Sequence, residues 1–493
     1  MLKNLYKGGV NMTYKHGLYG IRVASSEDIT TAKNIPVYVG TAPMHRIQES
    51  NRCINKPILI KSMPDAIRKT GYLESDDFTK YTLSEAVYAH FENKIQPIGP
   101  IVIINVLDTS KAATKTDTLQ IINSKCVIED EVLIDSVEVA SYTKDTDYEL
   151  AYKDDGKLEI TMLLDAETMP DEIDVTYKHV DPSSATSSDI IGTYNPDNET
   201  MTGIRAVEHV YEELNVVPTI ITAPGFNEDE KVRQALVSST KQISDKWEAT
   251  AFTDLDADTV KNIEDAIKWK KAKGFNSNEE KTFWPKAIMG GRIVHLSVMA
   301  IVAKMQTDVK YDNIPYQTPS NKQIDISAVT TKDGVIKLSQ KRANELNANG
   351  ITTAIYNGGK YVLWGPHMAN YEDGVTSKPE EIFDVNVFMN KYLLNDFQLR
   401  NTDIIDNAMT KHDVESLIQS EQMILDSHVS AGRLLYGNIA FNQANNPVSD
   451  MIMGDFTFDT LVTNTPPSKS ITQQVQYTSK GLISAYSDEE EEE

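Results

Sequence analysis

The sequence predicts a multidomain α/β protein with a mainly parallel central sheet, an inserted all-β unit and a C-terminal α+β region. Three observations lead to this fold class. An apolar strand pattern at 34–43, a helical pattern at 82–94 and a β-branched run at 100–108 form a strand–helix–strand beginning. Short strand patterns then follow up to about residue 182, and from Met201 strands and helices alternate again. Such alternation is typical of parallel sheets covered by helices.

The segment 110–188 holds five or six short strand patterns. Asp154-Asp155-Gly156 lies between two alternating runs, which indicates a β-hairpin. Strands at this spacing favour a small sandwich or barrel. The polar run at 181–189 closes the segment, so we expect an insertion into the α/β region.

The second α/β stretch is predicted to contain strands at 216–226 and 248–256 and helices at 202–215, 227–247, 257–274 and 292–308. Asn357-Gly358-Gly359 predicts the turn of a hairpin at 351–365. The stretch 312–324 contains two prolines and a Ser-Asn pair. Its composition favours a structural connection over a ligand-binding loop, which would have Lys322 as its only cation.

The last region begins with two amphipathic helices, at 383–401 and 411–435, and continues with a strand at 454–464. The second helix has one apolar stripe, formed by Val414, Leu417, Ile418, Ile424, Leu425 and His428. Behind Pro466-Pro467, apolar and polar side chains alternate from 471 to 478, which is the pattern of a β-strand. A lone strand at a chain end is unstable in water, so this strand requires a partner.

Composition excludes several classes of protein. The net charge is −24 and six of the last seven residues are acidic, so nucleic acid would be repelled. Only two cysteines are present, Cys53 and Cys126, which fits a reducing compartment. The N-terminus lacks the apolar core of a signal peptide, and no run of about 18 apolar residues is present. We therefore expect a protein that is soluble and cytoplasmic when made.

No motif predicts a catalytic, cofactor-binding or metal-binding residue. Gly359-Lys360 lacks the flanking residues of a P-loop, since Ala354 and Tyr361 stand where Gly and Ser or Thr are needed. The nine histidines include no pair with the spacing of a zinc helix. His295 lies in an apolar pattern, which favours a core histidine over a ligand.

The sequence resembles the sheath proteins of contractile phage tails and of phage-tail-like R-type bacteriocins. The resemblance extends from about Tyr14 to Leu482 and includes the order of domains. It rests on "GLYGIRVAS", "VPTIITAPGFNEDEKVRQAL", "IPYQTPSNKQI" and "LNANGITTAIYNGGKYVLWG". The Pro-Ser-Asn-Lys segment and the hairpin that ends in Trp-Gly are its more specific parts.

The resemblance implies a domain division. It comprises an N-terminal arm and linker (1–33), a first α/β segment (34–109), the inserted β unit (110–188), a subtilisin-like but non-catalytic α/β domain (189–364), a tube-proximal α+β domain (365–482) and an acidic, disordered tail (483–493). The leads at 24–34 and 464–470 are expected to be flexible.

In the family, strands at both chain ends join the sheets of neighbouring subunits. Carried over to this sequence, that implies a C-terminal exchanged strand carrying Ile471, Gln473, Val475 and Tyr477. Its acceptor would be another copy's strand carrying Phe456, Phe458 and Leu461. An N-terminal exchanged strand would carry Tyr14, Leu18, Tyr19, Ile21 and Val23. Half a dozen backbone hydrogen bonds contribute roughly 3–9 kcal/mol per strand before ordering costs.

The implied function is mechanical: the subunit polymerises helically around an inner tube and contracts to drive that tube through a target cell envelope. The implied partners are other copies of the chain, the tube protein, and baseplate and tail-terminator proteins, with no nucleic acid, membrane insertion or cofactor. Assembly would take place in the host bacterial cytoplasm, before release of the particle. Two alternatives remain: a degenerate α/β hydrolase-like enzyme, and a static helical coat subunit.

Overall fold

The largest feature of the protein is an eight-stranded sheet, here called the central sheet. The structure is a computed structural model and describes residues 30–31, 33–375 and 378–486. Its six inner strands are parallel, and the two edge strands are antiparallel to their neighbours. In spatial order the strands are Lys360–Trp364, Ile351–Asn357, Glu280–Phe283, Thr250–Asp254, Pro218–Thr222, Ile35–Gly40, Ile101–Asn105 and Pro57–Ile60. The predicted parallel α/β arrangement is therefore present.

Helices cover both faces of the central sheet. Consecutive side chains of each strand point to opposite sides, so each apolar strand contributes to a core on either face. Val37 and Val39 belong to one apolar core, whereas Tyr38 belongs to the other. The helices of the central region are Met63–Thr70, Thr82–Phe91, Ser187–Ile191, Val210–Leu214, Glu230–Ser238, Ile263–Ala272, Leu296–Val309 and Gln340–Asn347. Burial on both faces explains the almost continuous apolar runs in the inner strands.

The segment between Asp108 and Val180 folds around a core of its own. Two three-stranded antiparallel sheets enclose that core. Their strands are Ala113–Gln120, Lys125–Ile128, Glu138–Val139, Tyr148–Tyr152, Leu158–Met162 and Glu172–His179. The hairpin predicted at Asp154-Asp155-Gly156 is confirmed, since Leu158 pairs with Tyr152 across it and Gly156 takes a left-handed conformation with φ +83°.

One inner strand of the central sheet, Glu280–Phe283, escaped prediction because it begins with two charged residues. Both charges are buried and paired inside the protein: Glu280 with Arg233 at 3.0 Å and Lys281 with Asp384 at 2.9 Å. Partners distant in sequence therefore satisfy groups that sequence patterning assigns to solvent.

A second sheet of four antiparallel strands was also missed. Its strands are Arg292–Val294, Lys286–Met289, Ala328–Thr331 and Gly334–Ile336, in spatial order. The apolar helix predicted from residue 292 starts only at Leu296, because the residues before it pair as a strand.

Three other helices of the second α/β stretch are shorter than predicted. The helix expected at 227–247 is limited to Glu230–Ser238, and that expected at 257–274 to Ile263–Ala272. The pattern at 202–215 forms a 3-10 helix, Gly203–His209, followed by the short α-helix Val210–Leu214. The hairpin at 351–365 is confirmed, with Asn357 paired to Lys360 across two glycines of positive φ.

The C-terminal region consists of the helices Pro379–Ile382, Asp384–Arg400, Lys411–Ser430 and Val448–Met453 with a two-stranded sheet, here called the C-terminal sheet. Its antiparallel strands are Leu434–Ala440 and Asp459–Asn464. A last helix, Lys480–Tyr486, ends the described chain. Short strand pairs also join Thr30–Thr31 to Ile98–Gly99 and Tyr194–Asn195 to Thr200–Met201. Among the described ranges we find no helix with the length and apolarity of a membrane span.

Candidate assembly surfaces

The C-terminal segment 471–478, here called the arm, is neither helix nor strand in the single chain. Its apolar side chains lie in water: Ile471 is 87% exposed, Val475 85% and Tyr477 81%. Gln473 is exposed as well. In the part of the chain that the structure describes, no strand pairs with the arm. Since burying one large apolar side chain contributes about 1.5–3 kcal/mol, the arm holds unused binding free energy.

The predicted acceptor strand begins three residues later than its first named residue. Leu461 lies in the strand Asp459–Asn464 and is 63% exposed, whereas Phe456 and Phe458 precede that strand. Both phenylalanines instead face Phe441, with ring centroids 6.4 and 5.6 Å away. The strand predicted at 454–464 therefore begins only at Asp459, and the residues before it bring two aromatic rings against Phe441.

The strand Leu434–Ala440, which pairs with Asp459–Asn464, has no counterpart among the predicted elements. Its first residues were assigned to the end of the preceding helix. Gly432, with φ +69°, follows the helix Lys411–Ser430 and is the signal that could have ended the helix there. Because the C-terminal sheet has only two strands, each of them leaves one edge unpaired among the described residues. Unpaired edges of this kind bind further strands.

A groove of about 400 Å³ lies between the C-terminal sheet and the two long helices. Its lining is mostly apolar and comprises Asn390, Leu393, Leu394, Phe397, Arg400, Glu421, Ile424, Leu425, Ile439, Phe458, Thr460 and Val462. The side-chain amide of Gln422 holds the helix to the sheet by donating to the Gly437 carbonyl and accepting from the Ile439 N–H, both at 3.0 Å. These hydrogen bonds fix the helix relative to the sheet on which the groove lies.

The helix Asp384–Arg400 joins the C-terminal region to the central sheet. Asp384 accepts hydrogen bonds from Lys281 Nζ and Thr318 Oγ1, each at 2.9 Å, and both members of the Lys281–Asp384 pair are fully buried. Burial lowers the pKa of Lys281, although the Asp384 carboxylate opposes that shift. About three turns further on, the Asn395 amide bonds to the backbone N–H and carbonyl of Glu248 at 2.9 and 2.8 Å.

The stretch 312–324, for which a structural role was favoured, supports the same joint. Thr318 bonds to Asp384, and Ser320 Oγ accepts from the Gly365 N–H at 3.0 Å. The Asn321 N–H donates to the Leu363 carbonyl at 2.6 Å, which fastens the stretch to the edge of the central sheet.

Charged side chains join the inserted β unit to the central region. Glu131 of the insertion lies 3.3 Å from His45, 3.8 Å from Arg46 and 3.7 Å from Lys80. Burial acts to raise the pKa of Glu131, but His45 and Arg46 outweigh it and lower that pKa to about 2. A second pair, Arg52 with Asp135 at 2.7 Å, lies beside it.

A buried polar cluster at the carboxyl end of the central sheet bears on the enzyme alternative. His295 Nδ1 lies 2.8 Å from Glu85, and Nε2 lies 3.5 Å from Glu228. The hydroxyl of Ser297 donates to Asp254 at 2.5 Å and is fully buried. Ser297 therefore bonds to a carboxylate and not to the imidazole, so the cluster lacks the hydrogen bond between nucleophile and base that a triad needs.

His295 connects two helices of the central region. It is the residue before the helix Leu296–Val309, not a residue inside it as predicted, and it links that helix to the helix Thr82–Phe91 through Glu85. Within the described ranges, His, Cys, Asp and Glu side chains form no group of three arranged to hold a metal ion.

The N-terminal strand residues named above, Tyr14, Leu18, Tyr19, Ile21 and Val23, lie outside the described residues. The described chain begins at Thr30–Thr31, which pairs in parallel with Ile98–Gly99.

Residues 195–366 match the family model "Phage tail sheath protein central domain". The "Major tail sheath protein" of Serratia phage KSP20 is 23% identical over 312 residues, which cover 62% of this chain and 75% of that protein. The chain is thus similar to contractile tail sheath proteins.

Solved structures show that the sheath-family fold extends over almost the whole chain. A chain of the anti-feeding prophage baseplate matches with a TM-score of 0.58 at 11% identity, covering 94% of this chain and 99% of that chain. The contracted sheath complex of an extracellular contractile injection system (PVC) matches with a TM-score of 0.55 at 12% identity, covering 96% of this chain and 100% of that chain. The proteins that this chain resembles are thus subunits of phage tails and of related injection systems.

Proposed function

We propose that the chain is the structural subunit of a contractile tail sheath, which polymerises helically around an inner tube and contracts to drive the tube through a target cell envelope. The similarity to tail sheath proteins supports this function. The observation that carries it is the coexistence, in one chain, of an arm with exposed alternating apolar side chains and a two-stranded sheet with unpaired edges. Each copy has both a strand to donate and an edge to receive one.

Strand exchange is the proposed mode of assembly. The arm of one copy pairs beside Asp459–Asn464 of another, and the apolar side chains of the arm enter the groove beneath that strand. Donor and acceptor are different surfaces of the same chain, so the contact is head-to-tail and does not close on itself. Repetition of such a contact produces a helical polymer, whose strength is the sum of many modest links.

The proposed division of labour follows the domain ranges given above. The region 365–482 lies next to the tube, and a helix between Asp384 and Arg433 faces it. The Lys281–Asp384 pair and the Asn395 contacts support a subunit in which the C-terminal region turns together with the central sheet. Contraction then changes the contacts between subunits and the direction of the arms, while the body stays rigid.

The remaining partners follow from the sheath role. We propose that the chain binds copies of itself, the tube protein, baseplate proteins and a tail terminator, and that the particle is assembled in the host bacterial cytoplasm before release. It has no enzymatic role, so the free energy of contraction is stored in the lattice during assembly. The structure of the Ser297 and His295 cluster supports a non-catalytic subunit.

Truncation tests this function. A chain that ends at Ser470 lacks the arm and the helix Lys480–Tyr486, and a matched chain that ends at Tyr486 lacks only the acidic segment 487–493. Negative-stain microscopy of the second should show tubes of two lengths and widths, whereas the first should stay as single particles. Both should have nearly the unfolding midpoint of the full chain, because the described hydrogen bonds of residues 471–482 are local to that segment.

The other outcomes discriminate between the alternatives. Tubes of one form only indicate a static coat. Single particles from the full chain, together with hydrolytic activity, indicate the enzyme. Normal assembly and contraction of the chain that ends at Ser470 contradict strand exchange by the arm.

A further inference from the structure

A cleft of about 550 Å³, lined by both polar and apolar surface, lies on the body beside the start of the arm. On one side it is lined by the end of the hairpin strand Lys360–Trp364 and by the helix Gln340–Asn347. On the other side the chain itself lines it, from Pro467 to Ile471. The residues 464–470, here called the arm root, were expected to be a flexible lead, but they run along the body.

Contacts tie the arm root to the body at intervals of a few residues. Asn464 Nδ2 donates to Asn390 Oδ1 at 2.9 Å, and Thr465 Oγ1 donates to the carbonyl of Gly432 at 2.9 Å. Lys469 Nζ lies 3.4 Å from the Tyr371 hydroxyl and 5.6 Å from the centre of its ring. Beyond Ser470, the described hydrogen bonds of the segment up to Leu482 are local to it.

The ring that meets Lys469 belongs to a rigid aromatic stack. Tyr371 lies flat against His367, with ring centres 3.6 Å apart and planes at 3°, and Phe383 covers the other face of His367 at 5.1 Å. The His367 Nδ1 is bonded to the Ile382 carbonyl at 2.8 Å. Burial lowers the pKa of His367 to about 4, so the imidazole is neutral at neutral pH and does not repel the lysine.

Two features make the cleft suited to a peptide segment. The Tyr371 hydroxyl is held by Asp373 at 3.1 Å, which fixes the ring that receives the lysine. Pro466 and Pro467 restrict the backbone of the arm root, so that a few weak contacts suffice to orient it.

We propose that this cleft is the docking site of the arm root of the same chain, and that the arm therefore pivots at Ser470–Ile471 and not at Pro466–Pro467. The inference rests on the proposed function only in giving the arm beyond this pivot a neighbouring copy as its partner. Docking fixes the direction in which the arm leaves the body of its own subunit. A neighbour then receives a strand whose first residue is already aimed, which reduces the entropy lost on exchange.

Limited proteolysis of the full-length, unassembled chain tests the docking, because trypsin cleaves after Lys469 in the root and after Lys480 beyond the arm. The two cuts release fragments of different mass from the C-terminus. We expect the cut after Lys480 to be several-fold faster than the cut after Lys469 in the unmodified chain. Tyr371→Ala should accelerate the Lys469 cut about two- to fivefold and leave the Lys480 cut unchanged.

Two further variants separate docking from a general loosening of the fold. Tyr371→Phe keeps the stacked ring but removes the hydroxyl that contacts Lys469 and Asp373, so it should accelerate the Lys469 cut by less than Tyr371→Ala does and leave the Lys480 cut unchanged. Tyr356→Ala removes an exposed tyrosine at the tip of the hairpin, outside the cleft, and should change neither rate. Acceleration of both cuts by Tyr371→Ala indicates a general loosening and contradicts a local docking site.

Equal cutting after Lys469 and Lys480 in the unmodified chain, or an unchanged ratio in Tyr371→Ala, overturns the docking. These measurements use single subunits. A failure of sheath assembly by the full chain would therefore refute the proposed function and leave the docking result standing, and the reverse also holds.

Discussion

Removing the carboxylate of Asp384 should uncouple the C-terminal region from the central sheet. In the folded chain Lys281 Nζ donates to Asp384 at 2.9 Å and to the carbonyls of Gly365 and His367 at 2.9 and 3.0 Å, with no exposed surface on either charged side chain. The variant Asp384→Asn keeps the size of the side chain but leaves a buried ammonium group with neutral partners only. Breaking a buried ion pair in this way costs about 3–5 kcal/mol of folding free energy.

The assay is urea unfolding at neutral pH, followed by tryptophan fluorescence. Trp284 belongs to the central region and follows directly on the strand that carries Lys281. A matched control is Asp406→Asn, because Asp406 is exposed and its φ of +64° is one that asparagine also adopts. The control should stay within about 0.5 kcal/mol of the unmodified chain.

A double-mutant cycle identifies the interaction. Lys281→Met removes the ammonium group at similar length, and by itself leaves the Asp384 carboxylate buried without its cation. The double variant should lose less stability than the sum of the single variants, by about 0.5–3 kcal/mol. If Asp384→Asn stays within about 1 kcal/mol of the unmodified chain, or if the two changes simply add, the buried pair is not what couples the two regions.

Three further outcomes are expected from unfolding measurements on single subunits. Glu131→Gln should cost about 2–3 kcal/mol of folding free energy, a value reduced because solvent screens the partly exposed carboxylate. The stabilisation by the carboxylate should be fully present above its ordinary pKa of 4.5 and should be lost as pH falls through about 2. Burial acts to lower the pKa of His295, but its carboxylate partners raise that pKa well above 6.5. The loss of folding free energy in Glu85→Gln should therefore have its full size below pH 6.5 and should become smaller in alkaline solution, where His295 is neutral in the unmodified chain as well. Gly437→Ala places a Cβ 3.0 Å from the long helix beneath it and should cost about 1–3 kcal/mol, whereas Gly481→Ala, which meets nothing within 4 Å, should be neutral.

Strands buried on both faces were predictable because their signal is local. The runs that became Ile35–Gly40 and Ile101–Asn105 are apolar and β-branched, and no other element accommodates such runs as well. The hairpins at Gly156 and at Gly358-Gly359 were predictable for a related reason, since their positive φ values favour glycine.

Strands that carry charge were not predictable. Glu280 and Lys281 are acceptable in an inner strand only because Arg233 and Asp384 reach them from positions 47 and 103 residues away. The strand Leu434–Ala440 was hidden for a different reason, because the apolar pattern of the preceding helix continues into it across Gly432.

The sequence by itself determined the alternation of strands and helices, the inserted β unit and a terminal segment with the period of a strand, because each depends on side chains close together in the chain. Only the tertiary structure decided which charges are buried together, where the C-terminal sheet leaves edges unpaired and which surface holds the arm root. Those features depend on contacts between residues far apart in sequence, whose free energy exists only once the chain has folded.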